Sequence, residues 1–149
     1  MRVGFAKLVA MIAAVCSLRG PGPAWAQVLP EKQVVILARA ISYDKQLRSR
    51  AGSGLVIGVL YKPGVAESES TATEVMRAFK SIEGIKVQEL PLAAVKLPFT
   101  SKDALKAAIA AQGIDALYCC PSLDADLAAI REISHQQHVL TLASRQAFI

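Results

Sequence analysis

Cys119 and Cys120, adjacent to each other and followed by Pro121, are the residues of this 149-residue chain with the most obvious capacity for chemistry. In an oxidising compartment such a pair could be redox-active. A bridge between neighbours works against geometry, because a trans peptide holds the two Cα atoms about 3.8 Å apart, below the usual disulfide range of about 4.4–6.8 Å. The pair also lacks the two-residue spacer of the usual exchange motif. Alternation along a strand would send the side chains to opposite faces, leaving one buried thiol and one reactive or pairing thiol. His135 and His138 are three apart, a spacing that can bring two imidazoles together on a helix, but a helix end is expected between them and no third ligand completes a recognisable metal site. Asp124 and Asp126 stand at a helix start, where carboxylates meet exposed backbone N–H groups, so capping is favoured over acid–base catalysis. Ser53 lies in Ala51-Gly52-Ser53-Gly54 before a strand, whereas a nucleophile elbow needs its serine after one. Lys62-Pro63-Gly64 follows a strand without a GxGxxG or GxxxxGK[ST] pattern, which disfavours nucleotide binding. These patterns assign no catalytic residue, metal or cofactor.

The elements that must position these residues alternate regularly. Val34, Leu37, Ala38 and Ile41 recur at helical spacing within residues 31–50, and Gly52 and Gly54 mark the stop. Residues 55–61 are a continuous apolar run rich in β-branched side chains, as in a strand buried on both faces of a parallel sheet. Residues 67–82 read as a helix with Val75, Phe79 and Ile82 on one side and Gly84 closing it; residues 85–90 read as a weaker, edge-like strand. Pro98 is expected to block regular structure before Ser101 opens a helix at 105–112. A strand at 114–119, a helix at 124–137 and a strand at 138–143 complete the order α-β-α-β-α-β-α-β. This pattern predicts a three-layer α/β/α fold with a mostly parallel sheet, in a flavodoxin-like or half-periplasmic-binding-protein layout. Such sheets present ligands or partners with the loops at the carboxyl ends of their strands. The candidate loop residues are therefore Lys62, Pro63 and Gly64; Cys119, Cys120, Pro121, Ser122 and Asp124; and Ser144 and Arg145. The chain reaches Ile149 soon after its last strand, so a closing strand and helix are expected to be missing.

Residues 1–26 have the shape of a cleavable export signal. Arg2 and Lys7 form a positive start, residues 8–18 an apolar stretch too short to span a bilayer, and Ala24-Trp25-Ala26 places small residues before a cut at Gln27. The expected mature part is one α/β domain, residues 27–149, periplasmic and without a transmembrane helix. Of the 17 basic residues three, Arg2, Lys7 and Arg19, belong to the signal, leaving 14 against 12 acidic ones. Without a basic stripe, nucleic-acid binding is not expected. Asparagine is absent throughout, which removes any N-glycosylation acceptor.

From about Gln33 to Ile149 the chain resembles the YfiR family of exported bacterial proteins. The resemblance is carried by the opening helix from Val34 to Tyr43, the strand Leu55-Val56-Ile57-Gly58-Val59-Leu60, Asp115-Ala116-Leu117-Tyr118-Cys119, and His138-Val139-Leu140-Thr141-Leu142-Ala143 leading to Phe148. Ser42-Tyr43-Asp44-Lys45 stands where the family commonly has a Trp-Pro pair. The resemblance implies a periplasmic, non-catalytic domain that forms homodimers and restrains a membrane diguanylate cyclase, hence cyclic di-GMP signalling, through that protein's periplasmic part. The leading expectation is such a regulator. Second comes a small-ligand-binding domain associated with transport, using residues 62–65 and 121–124, and third a thiol redox protein.

Overall fold

In the computed structural model, which describes residues 30–143, Leu55–Tyr61 forms β1 in the middle of a five-stranded sheet. Its branched side chains suit a strand covered on both faces, and Leu55, Ile57, Val59 and Leu60 are fully buried. Parallel neighbours lie on either side: β3 (Leu90–Pro98) and β4 (Ala116–Cys119). Beyond β4, β5 (Leu140–Ala143) continues the parallel sheet, while β2 (Lys86–Val87) pairs antiparallel with the start of β3. The resulting order is β2-β3-β1-β4-β5.

Helices α1 (Pro30–Ile41) and α3 (Ala66–Ser81) contribute to one core, where Val34, Leu37, Ile41, Val75 and Phe79 join Ile57 and Val59. Helices α4 (Lys102–Gln112) and α5 (Leu127–Gln136) contribute to the other, where Leu105, Ile109, Ile130 and Ile133 join Leu60 and Leu117. Two cores on one mostly parallel sheet make the three-layer α/β/α architecture anticipated from the alternation. Gly58 allows the second core to close up: a Cβ there would lie 2.6 Å from Leu97 Cδ1 and 3.0 Å from Leu117 Cδ2. Among the described residues no helix is long and apolar enough to cross a membrane.

Three elements differ from the expectations. The helix anticipated over residues 31–50 breaks after Ile41 and resumes only as the short α2 (Leu47–Arg50). Asp44 causes a competing turn, its carboxylate accepting from the Gln46 N–H at 2.9 Å and pairing with Arg50 at 2.8 Å. Of the edge-like strand expected at 85–90 only the two-residue β2 forms, at the edge of the sheet; Gln88 and Glu89 (φ 51° and 69°) turn the chain back into β3, an unanticipated strand of which Pro98 is the last residue instead of a block. Phe99 N–H donates to the Tyr61 carbonyl, so alternation turns the position of Pro98 to the outer edge, where a missing N–H costs no ladder bond. Pro91 likewise precedes Leu92, the first residue in register with β1. The helix anticipated at 124–137 begins with a 3-10 turn, Asp124–Asp126, before α5. Neither aspartate side chain caps it, correcting the capping assignment.

Candidate functional site at the carboxyl edge of the sheet

Strand order reverses at β1: the chain leaves it through α3 to reach β3 on one side, then crosses through α4 to β4 on the other. The loops after β1 and β4 therefore diverge to opposite faces and leave a switch-point mouth between them. After β1, the Lys62 N–H donates to the buried Ser68 Oγ at 2.9 Å and the Gly64 N–H to Glu69 Oε1 at 2.9 Å. Two side chains of the first helical turns thus hold the backbone of this loop. After β4, the Cys120 N–H continues the ladder to the Leu60 carbonyl at 2.9 Å, and Ser122 takes a left-handed conformation (φ 70°). Such a backbone costs a non-glycine residue of order 1–3 kcal/mol and is tolerated where surrounding structure enforces it.

Polar side chains join the two loops. Lys62 Nζ lies 2.5 Å from Asp126 Oδ2 and 5.5 Å from the centroid of the Phe99 ring, while Ser122 Oγ donates to Glu67 Oε2 at 3.5 Å. Beside the mouth, along the α3 flank, runs an open groove of about 630 Å³ bordered by Tyr61, Glu69, Thr73, Arg77 and Lys96. Lys96 Nζ stands 4.8 Å above the Tyr61 ring and donates to Thr73 Oγ1 at 3.1 Å.

The candidate residues separate by exposure. Pro63, Gly64 and Asp124 are exposed, and Lys62 and Ser122 are half-buried at the mouth. Cys119, Cys120 and Pro121 are buried beneath it and offer no surface to a ligand. Ser144 and Arg145 lie outside the described residues. Cys119 packs into the α4/α5 core and Cys120 into the α1/α3 core, the opposite-face arrangement expected from strand alternation. Both thiols are free, and burial pushes each up to about 12, so neither is an exposed reactive partner. Helix α5 ends between His135 and His138. Among the described residues no three His, Cys, Asp or Glu side chains gather as a metal site. Phe99, Glu67 and Ser68 were not singled out by the sequence; their only signal is position, directly after β3 or at the opening of α3.

The three-layer fold has a likeness among solved structures. Over 70% of its length the chain is similar to a pneumococcal ABC domain in complex with L-Trp (Streptococcus pneumonia), with a TM-score of 0.50 and 11% identity. Over the same share it is similar to the ligand-free, open structure of a substrate binding protein with adhesive properties from Clostridium difficile, with a TM-score of 0.46 and 16% identity. The match covers 34% of each of those chains, about a third of their length. No family model matches the sequence, and no curated protein matches it.

Proposed function

We propose that this chain is a small-ligand-binding domain whose site is the switch-point mouth between the loops after β1 and β4. The observation that carries this reading is the convergence there of Lys62, Asp126, Ser122 and Glu67 from elements that flank opposite faces of the sheet. Parallel α/β sheets bind ligands at this topological position. The pneumococcal domain of similar fold, which holds L-Trp, supports the same reading. The protein is exported in this proposal, its chain cut before Gln27; N-terminal sequencing of material from the native host's periplasm should read from Gln27, and a persistent Met1 would overturn export. Function is tested by thermal unfolding against a panel of metabolite-sized compounds. A ligand of the folded state should raise the midpoint, and Glu67→Gln with Ser122→Ala should remove the rise. A panel without effect, or a rise indifferent to both substitutions, would count against the site.

A second reading, regulation in the manner of the YfiR family, is favoured by one feature. Helix α1 leaves Val35 and Ile36 49% and 61% exposed, with Tyr43 74% exposed just beyond it. Such apolar exposure suits a protein partner. In this reading Val35→Glu with Ile36→Glu would release a membrane cyclase from restraint without unfolding the domain.

A further inference from the structure

Lys62 Nζ is held by the carboxylate of Asp126 at 2.5 Å and faces the Phe99 ring at 5.5 Å. A carboxylate on one side and an aromatic face on the other is a combination by which proteins recognise ammonium groups. We propose that the Lys62 ammonium is a tethered occupant of this cage, and that the ligand of the mouth carries an organic ammonium group that takes its place. The inference rests on the small-ligand reading and names the chemical class of the ligand.

The walls of the cage are fixed and its occupant is not. Phe99 is 6% exposed and anchored through its N–H to the Tyr61 carbonyl, while Asp126 stands at the start of α5. Lys62 by contrast reaches in on a flexible four-carbon stem, its side chain 35% exposed, and can swing into solvent without moving the backbone that Ser68 holds. Exchange of one ammonium for another also leaves Asp126, only 22% exposed, paired throughout.

Charge around the mouth selects the same class. Lys62 is the one basic residue in residues 61–66 and 119–126, whereas Glu67, Glu69, Asp124 and Asp126 all stand at the starts of the adjoining helices. Even with the displaced Lys62 still tethered there, these loops and helix starts carry four carboxylates against one ammonium, which favours a cation over an anion.

Emptying the cage with Lys62→Ala in the full chain tests the proposal, with n-butylammonium chloride as probe and sodium butyrate at equal ionic strength as control. The variant should gain a saturable rise in unfolding midpoint of about 5 °C at ten times the dissociation constant. Butyrate should give none, adding Asp126→Asn should abolish the rise, and Lys62→Met, whose stem still covers Phe99, should respond weakly. Should Lys62→Ala not fold, the wild-type protein carries the test: the Lys62 ε-methylene NMR signal should move saturably as n-butylammonium evicts it. Absence of either response, or a rise that persists with Asp126→Asn, overturns the proposal. A compound from the metabolite panel that lacks an ammonium group and whose effect is lost in Glu67→Gln with Ser122→Ala, while n-butylammonium is silent, would overturn it and leave the small-ligand reading standing.

Discussion

Cys119 and Cys120 lie back to back in the two cores, each buried as a packing residue. With folded values near 12 against an ordinary value of 9.0, each thiol contributes stability that is present below about pH 9 and lost as pH rises toward 12. Native protein at pH 8 should therefore resist an aromatic disulfide reagent that labels the urea-unfolded chain. Cys119→Ala with Cys120→Ala should flatten the alkaline loss of stability while costing about 1–2 kcal/mol per site in lost packing. Rapid labelling of the native protein would return weight to redox chemistry. Asp115 poses the same question with a carboxylate. Its Oδ2 accepts the Val56 N–H at 2.9 Å, its own N–H donates to the Val56 carbonyl, and its carbonyl accepts from Leu140 N–H, so it ties β1 to β5 at the sheet's opposite edge. Burial raises its pKa, outweighing the Val56 N–H and the Arg50 charge, so its contribution to stability is present in acid and falls as pH rises through the folded value. Asp115→Asn keeps an acceptor for Val56 and cannot ionise. Its urea midpoint should improve relative to wild type as pH goes from 4 to 8, and a difference independent of pH would refute this assignment.

Among the elements, β1 and α4 show how directly local chemistry sets structure. Ser101 Oγ accepts the Ala104 N–H at 3.1 Å and Gly113 ends α4 in the left-handed region, a start and stop visible in the sequence as serine and glycine around a periodic apolar stretch. Ser101→Ala should cost about 1 kcal/mol in chemical unfolding. Gly58→Ala should cost about 1–3 kcal/mol, because its new methyl must push aside Leu97 and Leu117 in a packed core; an unchanged midpoint would show that these side chains give way freely. What remained hidden in the sequence has a physical basis. β3 ends on Pro98, which reads as a breaker until it is known that β2 covers only the start of β3, since only the partner strands decide which N–H groups are dispensable. Asp44 and Asp126 were likewise illegible, because whether an aspartate caps, turns or pairs depends on what lies opposite it. Lys62 could be placed on the loop after β1 from alternation alone, whereas the cage proposed around it needs Phe99 and Asp126, 37 and 64 residues further along the chain.

At the scale of the whole molecule, the sheet is the structure shared by both cores, and the mouth is assembled from both sides of it. Lys62 leads into α3 on one face and Asp126 into α5 on the other, so separation of either helical layer would dismantle the cage. Ile41 of α1 and Ile130 of α5 are nearly or fully buried in the two outer layers, within 1% of complete burial. Ile41→Val and Ile130→Val should each cost about 0.5–1.5 kcal/mol while leaving the protein folded. Because the side chains share no core cluster, the costs should add in the double variant. If the central sheet couples the layers into one cooperative unit, urea unfolding remains a single transition in all three proteins, and either substitution lowers the opening free energy of slowly exchanging core amides on both faces equally. Hydrogen exchange provides the decisive comparison. Amides of α1 whose protection is insensitive to Ile130→Val, yet falls with Ile41→Val, would show that the α1 layer opens by itself and that the two faces do not stabilise the mouth together.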